Sequence, residues 1–278
     1  MSDYRQQNRK RWAGTAAGWE KHADEMRKNS LPVSMWMVEA IAPQPGHTVL
    51  DIAAGVGDTG FLAAELIEPG GTLITSDLVP EMLSAAQRRA EKLGLTNVRF
   101  KQIDAEAMDI PAASVDGVLC RWGYMLMNDA EAALRDTRRI LKPDGRVALA
   151  AWADPEANPW AVIPAHELIS RGHAEPIPPG PGQFAWAEQE AIAETLDAAG
   201  FVEHEIHALD FTIRYPSVEA WWETSRDMSQ RVRDAVAGMG PGDEEAVRAA
   251  IAERAEPWTA ADGSLALAAR TWVAAATA

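Results

Sequence analysis

Thr48-Val49-Leu50-Asp51-Ile52-Ala53-Ala54-Gly55-Val56-Gly57-Asp58-Thr59-Gly60 is an apolar run that leads straight into a GxGxxG spacing. A strand, a glycine turn and a helix start let the backbone approach a ligand closely, with unpaired helix N–H groups aimed at an anionic group. The spacing admits two kinds of adenosine-containing ligand, and the neighbouring residues must separate them. A dinucleotide reading seats a pyrophosphate on the loop. The other reading asks for an acid four residues before the first glycine, where Asp51 stands. Gly71-Thr72-Leu73-Ile74-Thr75-Ser76-Asp77 then reads as a second strand ending in an acid, 20 residues after Gly57. An acceptor-only carboxylate there suits two vicinal ribose hydroxyls under both readings.

Outward from that stretch, strands at 48–53, 72–77, 98–104, 117–121 and 146–152 alternate with helices at 59–67, 80–93 and 129–141. That alternation predicts a parallel, doubly wound α/β sheet. Residues 1–46 read as a helical cap: Trp12, Ala16, Trp19 and Ala23 recur at helical steps, Pro32 opens a second helix, and Pro43-Gln44-Pro45-Gly46 closes the unit. The nucleoside-binding core occupies 47–152. Segment 153–188, irregular around a helix near 161–170, reads as a substrate-side insertion or lid. Residues 189–278 complete the core with a helix at 189–199, a strand at 202–215 and a helical insertion about 217–258. Within that insertion, helices are expected over 217–237 and 243–254. A last, antiparallel edge strand is expected over 264–277.

Five blocks then decide between the ligands: DIAAGVG (51–57), SDLVPEML (76–83), DAEAMDIP (104–111), SVDGVLCRWG (114–123) and LKPDGRVALAAW (141–152). In this order they resemble the class I S-adenosylmethionine-dependent methyltransferases, in particular the quinone-biosynthesis C-methyltransferases and their small-molecule relatives. The resemblance implies a Rossmann-like seven-stranded sheet with the last strand antiparallel, and S-adenosylmethionine as cofactor. It also implies that Gly55 and Gly57 let the loop pass the carboxypropyl end of the cofactor, where a Cβ would collide. On the same basis Asp51 organises that loop and the ligand's amino group, Asp77 takes the ribose and Leu78 packs on the adenine face. Asp104 accepts from the adenine amine beside the Ala105 backbone, and Ala53, Met82, Cys120 and Arg121 complete the set.

Methyl transfer needs little covalent help from a protein, because alignment and exclusion of water supply most of the rate. A general base helps for hydroxyl or carbon acceptors. His22, His166 and His173, in the cap and insertion, are the candidates, with Tyr124 at the exit of the fourth strand. His47, His204 and His207 read as structural or solvated, and Cys120 as a small packing residue with no activating histidine nearby. The chain holds 11 tryptophans against three tyrosines. Trp12, Trp19, Trp36, Trp122, Trp152, Trp160 and Trp186 fall where lid-to-core packing or a hydrophobic acceptor would use them.

The formal net charge of −15 disfavours nucleic acid as a partner. The basic residues from Arg5 to Lys28, among them Arg9, Lys10, Arg11, Lys21 and Arg27, read as a solvated helix face. One cysteine excludes an intrachain disulfide and Cys-based metal clusters. The polar start reads as no secretory signal, and no apolar stretch reaches the roughly 18 residues of a bilayer span, so a cytoplasmic protein without membrane insertion is expected. The expected activity is methylation of a small, hydrophobic or aromatic acceptor at oxygen or carbon, with a homodimer as the candidate assembly. The alternative is an S-adenosylmethionine-binding protein of the same fold that does not methylate. A dinucleotide oxidoreductase gives Asp51, Asp104 and LKPDG no role.

Overall fold

The computed structural model describes residues 3–278, and seven strands form one sheet: β1 (Thr48–Asp51), β2 (Thr72–Asp77), β3 (Val98–Gln102), β4 (Val115–Arg121), β5 (Leu141–Trp152), β6 (Val202–Tyr215) and β7 (Leu265–Thr277). Their order is β3-β2-β1-β4-β5-β7-β6. The first five run parallel, with Val49 beside Leu73 on one side and Gly117 on the other. Val49, Leu50 and Leu73 are fully buried because a parallel strand is covered on both faces.

β7 is antiparallel as expected, but it is not the edge strand. It lies between β5 and β6 and pairs with both. Side-chain chemistry explains the position: Val273, Ala274, Ala275 and Ala276 are all buried, as an internal strand requires. β6 carries Glu203, His204, Glu205, His207 and Asp210, the kind of charged edge that discourages further strand addition.

Helices cover both faces. α2 (Ala23–Ala40) and α3 (Asp58–Leu66) bury Val33, Met37, Val38, Phe61 and Ala63 against one face. α5 (Ala130–Ile140) and α7 (Gln189–Ala198) bury Leu134, Ile140, Ile192 and Leu196 against the other. α4 (Pro80–Leu93) follows β2, and α6 (Pro159–Ser170) follows β5. Between β6 and β7 stand α8 (Val218–Met228), α9 (Gln230–Ala237) and α10 (Asp243–Ala255).

Two helix breaks differ from the sequence reading, and β5 begins at Leu141 where the strand was expected from 146. Pro32 does not open a helix: the break falls at His22 and Pro32 lies inside α2. An internal proline costs about 3 kcal/mol, and the flanking Val33, Met37 and Val38, buried against the sheet, keep the helix continuous. The expected helix over 217–237 is two, because extended Ser229 turns the chain and its hydroxyl accepts from the Val232 N–H that opens α9.

α1 (Asp3–Lys21) lies along the carboxyl edge of the sheet. Its Ala16, Trp12 and Trp19 pack on Val56, Leu78, Val79 and Met82. Tyr4 and Asn8 donate to the Leu126 carbonyl just past β4. Its small residues face α8 and α9: a Cβ on Gly18 would lie 2.1 Å from the Asp227 carbonyl oxygen, and one on Gly14 would lie 2.7 Å from the Gln230 side chain. The basic run is therefore not a plain solvated face. Arg5 pairs with Asp104 and Glu106, and Lys21 with Glu223 and Asp227.

Candidate active site

The strand order reverses between β1 and β4, which makes the crevice at their carboxyl ends the natural ligand site of an open parallel sheet. β1 ends at Asp51, whose Oδ2 accepts from the Gly60 N–H at 2.9 Å. A Cβ on Gly60 would sit 2.7 Å from that same oxygen, so the third glycine serves close packing of α3 on the strand. Gly57 has φ +93°, a conformation that favours glycine, and a Cβ there would run into the Phe61 ring at 2.3 Å. Gly55, at φ +56°, has no atom within 4 Å of its Cβ direction: the loop turns that side toward open space.

Asp77 ends β2 beside this loop. Its Oδ2 accepts from the Gly55 N–H and its Oδ1 from the Val79 N–H, both at 2.9 Å. The carboxylate thus stitches the first two strand-to-helix turns together, leaving further lone pairs for hydroxyl donors. Leu78 and Met82 lie in the apolar cluster with Val56 and α1. Ala53 is exposed in the same turn with φ +50°, a costly value for a residue with a Cβ.

Burial dominates the electrostatics. It pushes the Asp51 carboxyl up to about 7, opposed by the Gly60 N–H and Arg121 and reinforced by Asp58 and Asp77. Asp77 is likewise pushed up to about 6 by burial, against the N–H groups of Val79, Gly55 and Leu78. Two elevated carboxyls at one edge are poised to accept a cationic or hydroxyl-bearing ligand.

The other expected cofactor residues divide. Asp104, after β3, accepts from the Glu106 N–H and pairs with Arg5 at 3.3 Å. Ala105 is buried next to it. Cys120 is fully buried in the core, where burial pushes its thiol up, so it offers no side chain to the crevice. Arg121 turns away toward α2, donating to Ser30 and Ser34 and lying 3.5 Å from Asp58. Asp58 is also held by Arg89 at 2.6 Å. Sequence reading missed this buried Asp58, Arg89 and Arg121 cluster, although an acid inside the GxGxxG stretch was a signal for it.

Three of the four proton-transfer candidates are committed elsewhere. His22 has Nε2 on Asp227 at 2.9 Å and Nδ1 on Thr224, tying the corner between α1 and α2 to α8. His166 faces Arg254 and Glu167 on the surface. Tyr124 is buried, its hydroxyl is 2.7 Å from Thr137, and burial holds its pKa well above the usual value. His173 alone of the four has no side-chain partner among the described residues, and it lines a cavity.

Above β4 and β5 the tryptophans form a bank. Trp122, at φ +59°, stacks on Trp152 at 4.2 Å, and Trp152 meets Trp160 at 4.7 Å and Phe211 at 5.9 Å. The Trp122 indole N–H donates to Thr271, and the Arg121 guanidinium lies 4.8 Å over its ring. Trp186 stacks on Tyr124 inside the core, and Trp36 meets His207 edge-on. On α1, Trp19 keeps a buried indole N–H without a partner, beside Leu78 and Met82. An orphaned buried donor next to an acid-lined crevice fits a ligand with hydrogen-bond acceptors, as a nucleoside amino acid has.

The ubiE/COQ5 methyltransferase family model matches residues 33–166. The chain is 33% identical over 201 residues to a nocamycin O-methyltransferase of Saccharothrix syringae, covering 68% of this chain and 71% of that one. It is 29% identical over 187 residues to a ubiquinone/menaquinone biosynthesis C-methyltransferase, UbiE, of Cellvibrio japonicus, covering 61% and 73%. Among solved structures, the YcgJ protein of Bacillus subtilis superposes with a TM-score of 0.59 at 20% identity, over 88% of this chain and 97% of that one.

Proposed function

This chain belongs to the class I S-adenosylmethionine-dependent methyltransferases, and from that premise we propose that it methylates a small, hydrophobic or aromatic acceptor at oxygen or carbon. The observation that carries the acceptor class is the bank of Trp122, Trp152, Trp160 and Phe211 at the exits of β4 and β5. Stacked aromatic faces at a strand exit favour a flat apolar partner and exclude water from the reacting atoms. One relative is named for transfer to oxygen and another for transfer to carbon, and this bank suits either.

The bound cofactor supplies a methyl group already activated on a sulfonium. The chain's part is placement. Asp77 takes the ribose hydroxyls, Gly55 and Ala53 give the amino acid end room, Asp51 faces its ammonium, and Leu78 and Met82 hold the adenine. Asp104 serves the adenine amine in exchange for its pairing with Arg5, and Trp19 donates its free indole N–H to a cofactor oxygen. Where the acceptor must lose a proton, His173 takes it, since its ring is free of other partners. No helix of the described residues is long and apolar enough to cross a membrane. We place the protein in the cytoplasm on its single, buried Cys120.

Calorimetric titration with S-adenosylhomocysteine tests the placement. Asp77→Ala removes a charged acceptor from two ribose hydroxyls and should weaken binding by about 100-fold. Binding within threefold of the parent protein would move the cofactor off this edge. Methyl transfer from labelled S-adenosylmethionine to a panel of phenols and cyclic diketones, set against polyols of equal size, tests the acceptor class. Turnover confined to the polyols would refute it.

A further inference from the structure

α1 touches both residues assigned to the adenine. β2 and β3 pair with Asp77 beside Gln102, so Leu78 and Asp104 follow neighbouring strands out of the sheet. Trp12, Ala16 and Trp19 pack on the Leu78 side. On the other side Arg5 forks between two carboxylates, donating through Nη1 to Asp104 Oδ2 at 3.3 Å and through Nη2 to Glu106 Oε2. The remaining Asp104 oxygen accepts from the Glu106 N–H. Arg5 therefore stands on the oxygen that an adenine amine would use, and the two donors compete for it.

The two branches of the fork are unequal. The Glu106 side chain is only 6% exposed, and its Oε1 accepts from the Asn128 N–H, which fixes the carboxylate in place. Asp104 is 28% exposed and makes the longer contact with Arg5. Glu106 is likewise the leading cause of the raised Arg5 pKa, with Asp104 a lesser one. An ion pair as open as that of Arg5 with Asp104 is weak and yields readily to another donor. Tyr4 and Asn8, both on the Leu126 carbonyl, hold the first turn of α1 while it does.

We propose that Glu106 is a positioning residue of the cofactor site: it keeps Arg5 when the adenine amine takes Asp104, so that α1 gates the adenine seat by an exchange of carboxylates without leaving the sheet edge. The inference rests on the reading that Asp104 serves the adenine amine. It makes Arg5 an internal competitor of the cofactor and Glu106 the residue that relieves the competition.

Calorimetric titration with S-adenosylhomocysteine tests the exchange by the sign of two effects. Arg5→Met removes the competitor and should tighten binding about three- to fivefold. Glu106→Gln keeps an oxygen for the Asn128 N–H but leaves Arg5 no second carboxylate. Arg5 then stays on Asp104, and binding should weaken by a similar factor. With Arg5 gone Glu106 has nothing to receive, so the double variant should bind as Arg5→Met does. Any other pair of signs, including the joint weakening expected of a clamp that merely holds α1 down, overturns the proposal, as does a change within twofold in either single variant. The 6-deamino analogue of S-adenosylhomocysteine, with hydrogen in place of the amine, tests the underlying reading on the parent protein. It should bind about tenfold more weakly, because the donor to a charged acceptor is lost. Equal binding would take the adenine away from Asp104 and fell the placement itself. A preference for the amine with the wrong signs in the variants fells the exchange alone.

Discussion

Along the carboxyl edge of β1 and β2, carboxylates meet main-chain N–H groups close by in sequence: Asp51 with Gly60, nine residues on, and Asp77 with Gly55, 22 residues back. α1 and the corner after it are fixed to α8 and α9 instead by contacts between residues 205 and 219 positions apart, His22 with Asp227 and Arg233 with the Gly14 carbonyl. The first region is built by short strand-to-helix turns whose geometry is set by glycine and carboxylate. The second is built by side chains that find each other only once the sheet exists. The crevice is therefore prepared by local structure and the seat of α1 by assembly of distant segments, so damage to the two should differ in kind.

The largest effect is expected at the buried cluster under the glycine loop. Asp58 is the shared counter-ion of Arg89 and Arg121, and its removal leaves the buried Arg121 without an ion-pair partner and Arg89 with only the exposed Asp24, 3.7 Å away. Asp58→Ala should lower the unfolding free energy by about 3–5 kcal/mol, read as a shift of the urea midpoint. If the loss is within 1 kcal/mol, as estimated for exposed pairs, the crevice is less dependent on its local charges than the comparison requires.

A smaller and more local loss is expected where α1 meets α8 and α9. Gly18→Leu places side-chain atoms where the Asp227 carbonyl stands, so α1 must lift from α8 and α9. A cost of about 1–3 kcal/mol is expected, concentrated in α1. Hydrogen exchange should show the amides of α1 opening while those of β1, β4 and β5 stay protected. Uniform deprotection would mean that the cap and the sheet fold as one unit, and would erase the contrast.

The same contrast explains what could be read from the sequence. The strands, the Gly55 and Gly57 turn and Asp77 were legible because apolar runs, glycine spacing and a strand-ending acid are local signals. The place of β7 was not, since internal or edge position depends on which strand pairs with it, and only the burial of both faces over 273–276 betrays it. The break at His22 in place of Pro32 was hidden for a similar reason: burial of Val33 and Met37 against the sheet outweighs the proline's preference for a helix start. Tyr124 sits at the exit of the fourth strand, where a reactive hydroxyl would be useful. Its ring instead points into the core against Trp186 and Thr137, a direction no spacing rule carries. The roles of His22 and His166 were decided by partners more than 80 residues away, Asp227 and Arg254.

The smallest effect is also the one that joins both halves, because it depends on the crevice being empty or filled. Burial pushes Asp51 up to about 7 and Asp77 up to about 6, against an ordinary 3.8. The fold therefore holds protons that the unfolded chain has released between about pH 4 and pH 7, and its stability should decline as pH rises through that window. Binding works the other way. The ammonium of S-adenosylhomocysteine favours the charged form of Asp51, so a proton leaves on binding below about pH 7 and affinity should rise with pH. The rise is at most about tenfold per pH unit for each proton released. Titrations between pH 6 and 8 in two buffers of different ionisation enthalpy count that proton directly. Asp51→Asn should flatten the profile, and a parent protein that binds equally well across the range, or takes up a proton, would place the ligand's ammonium away from Asp51.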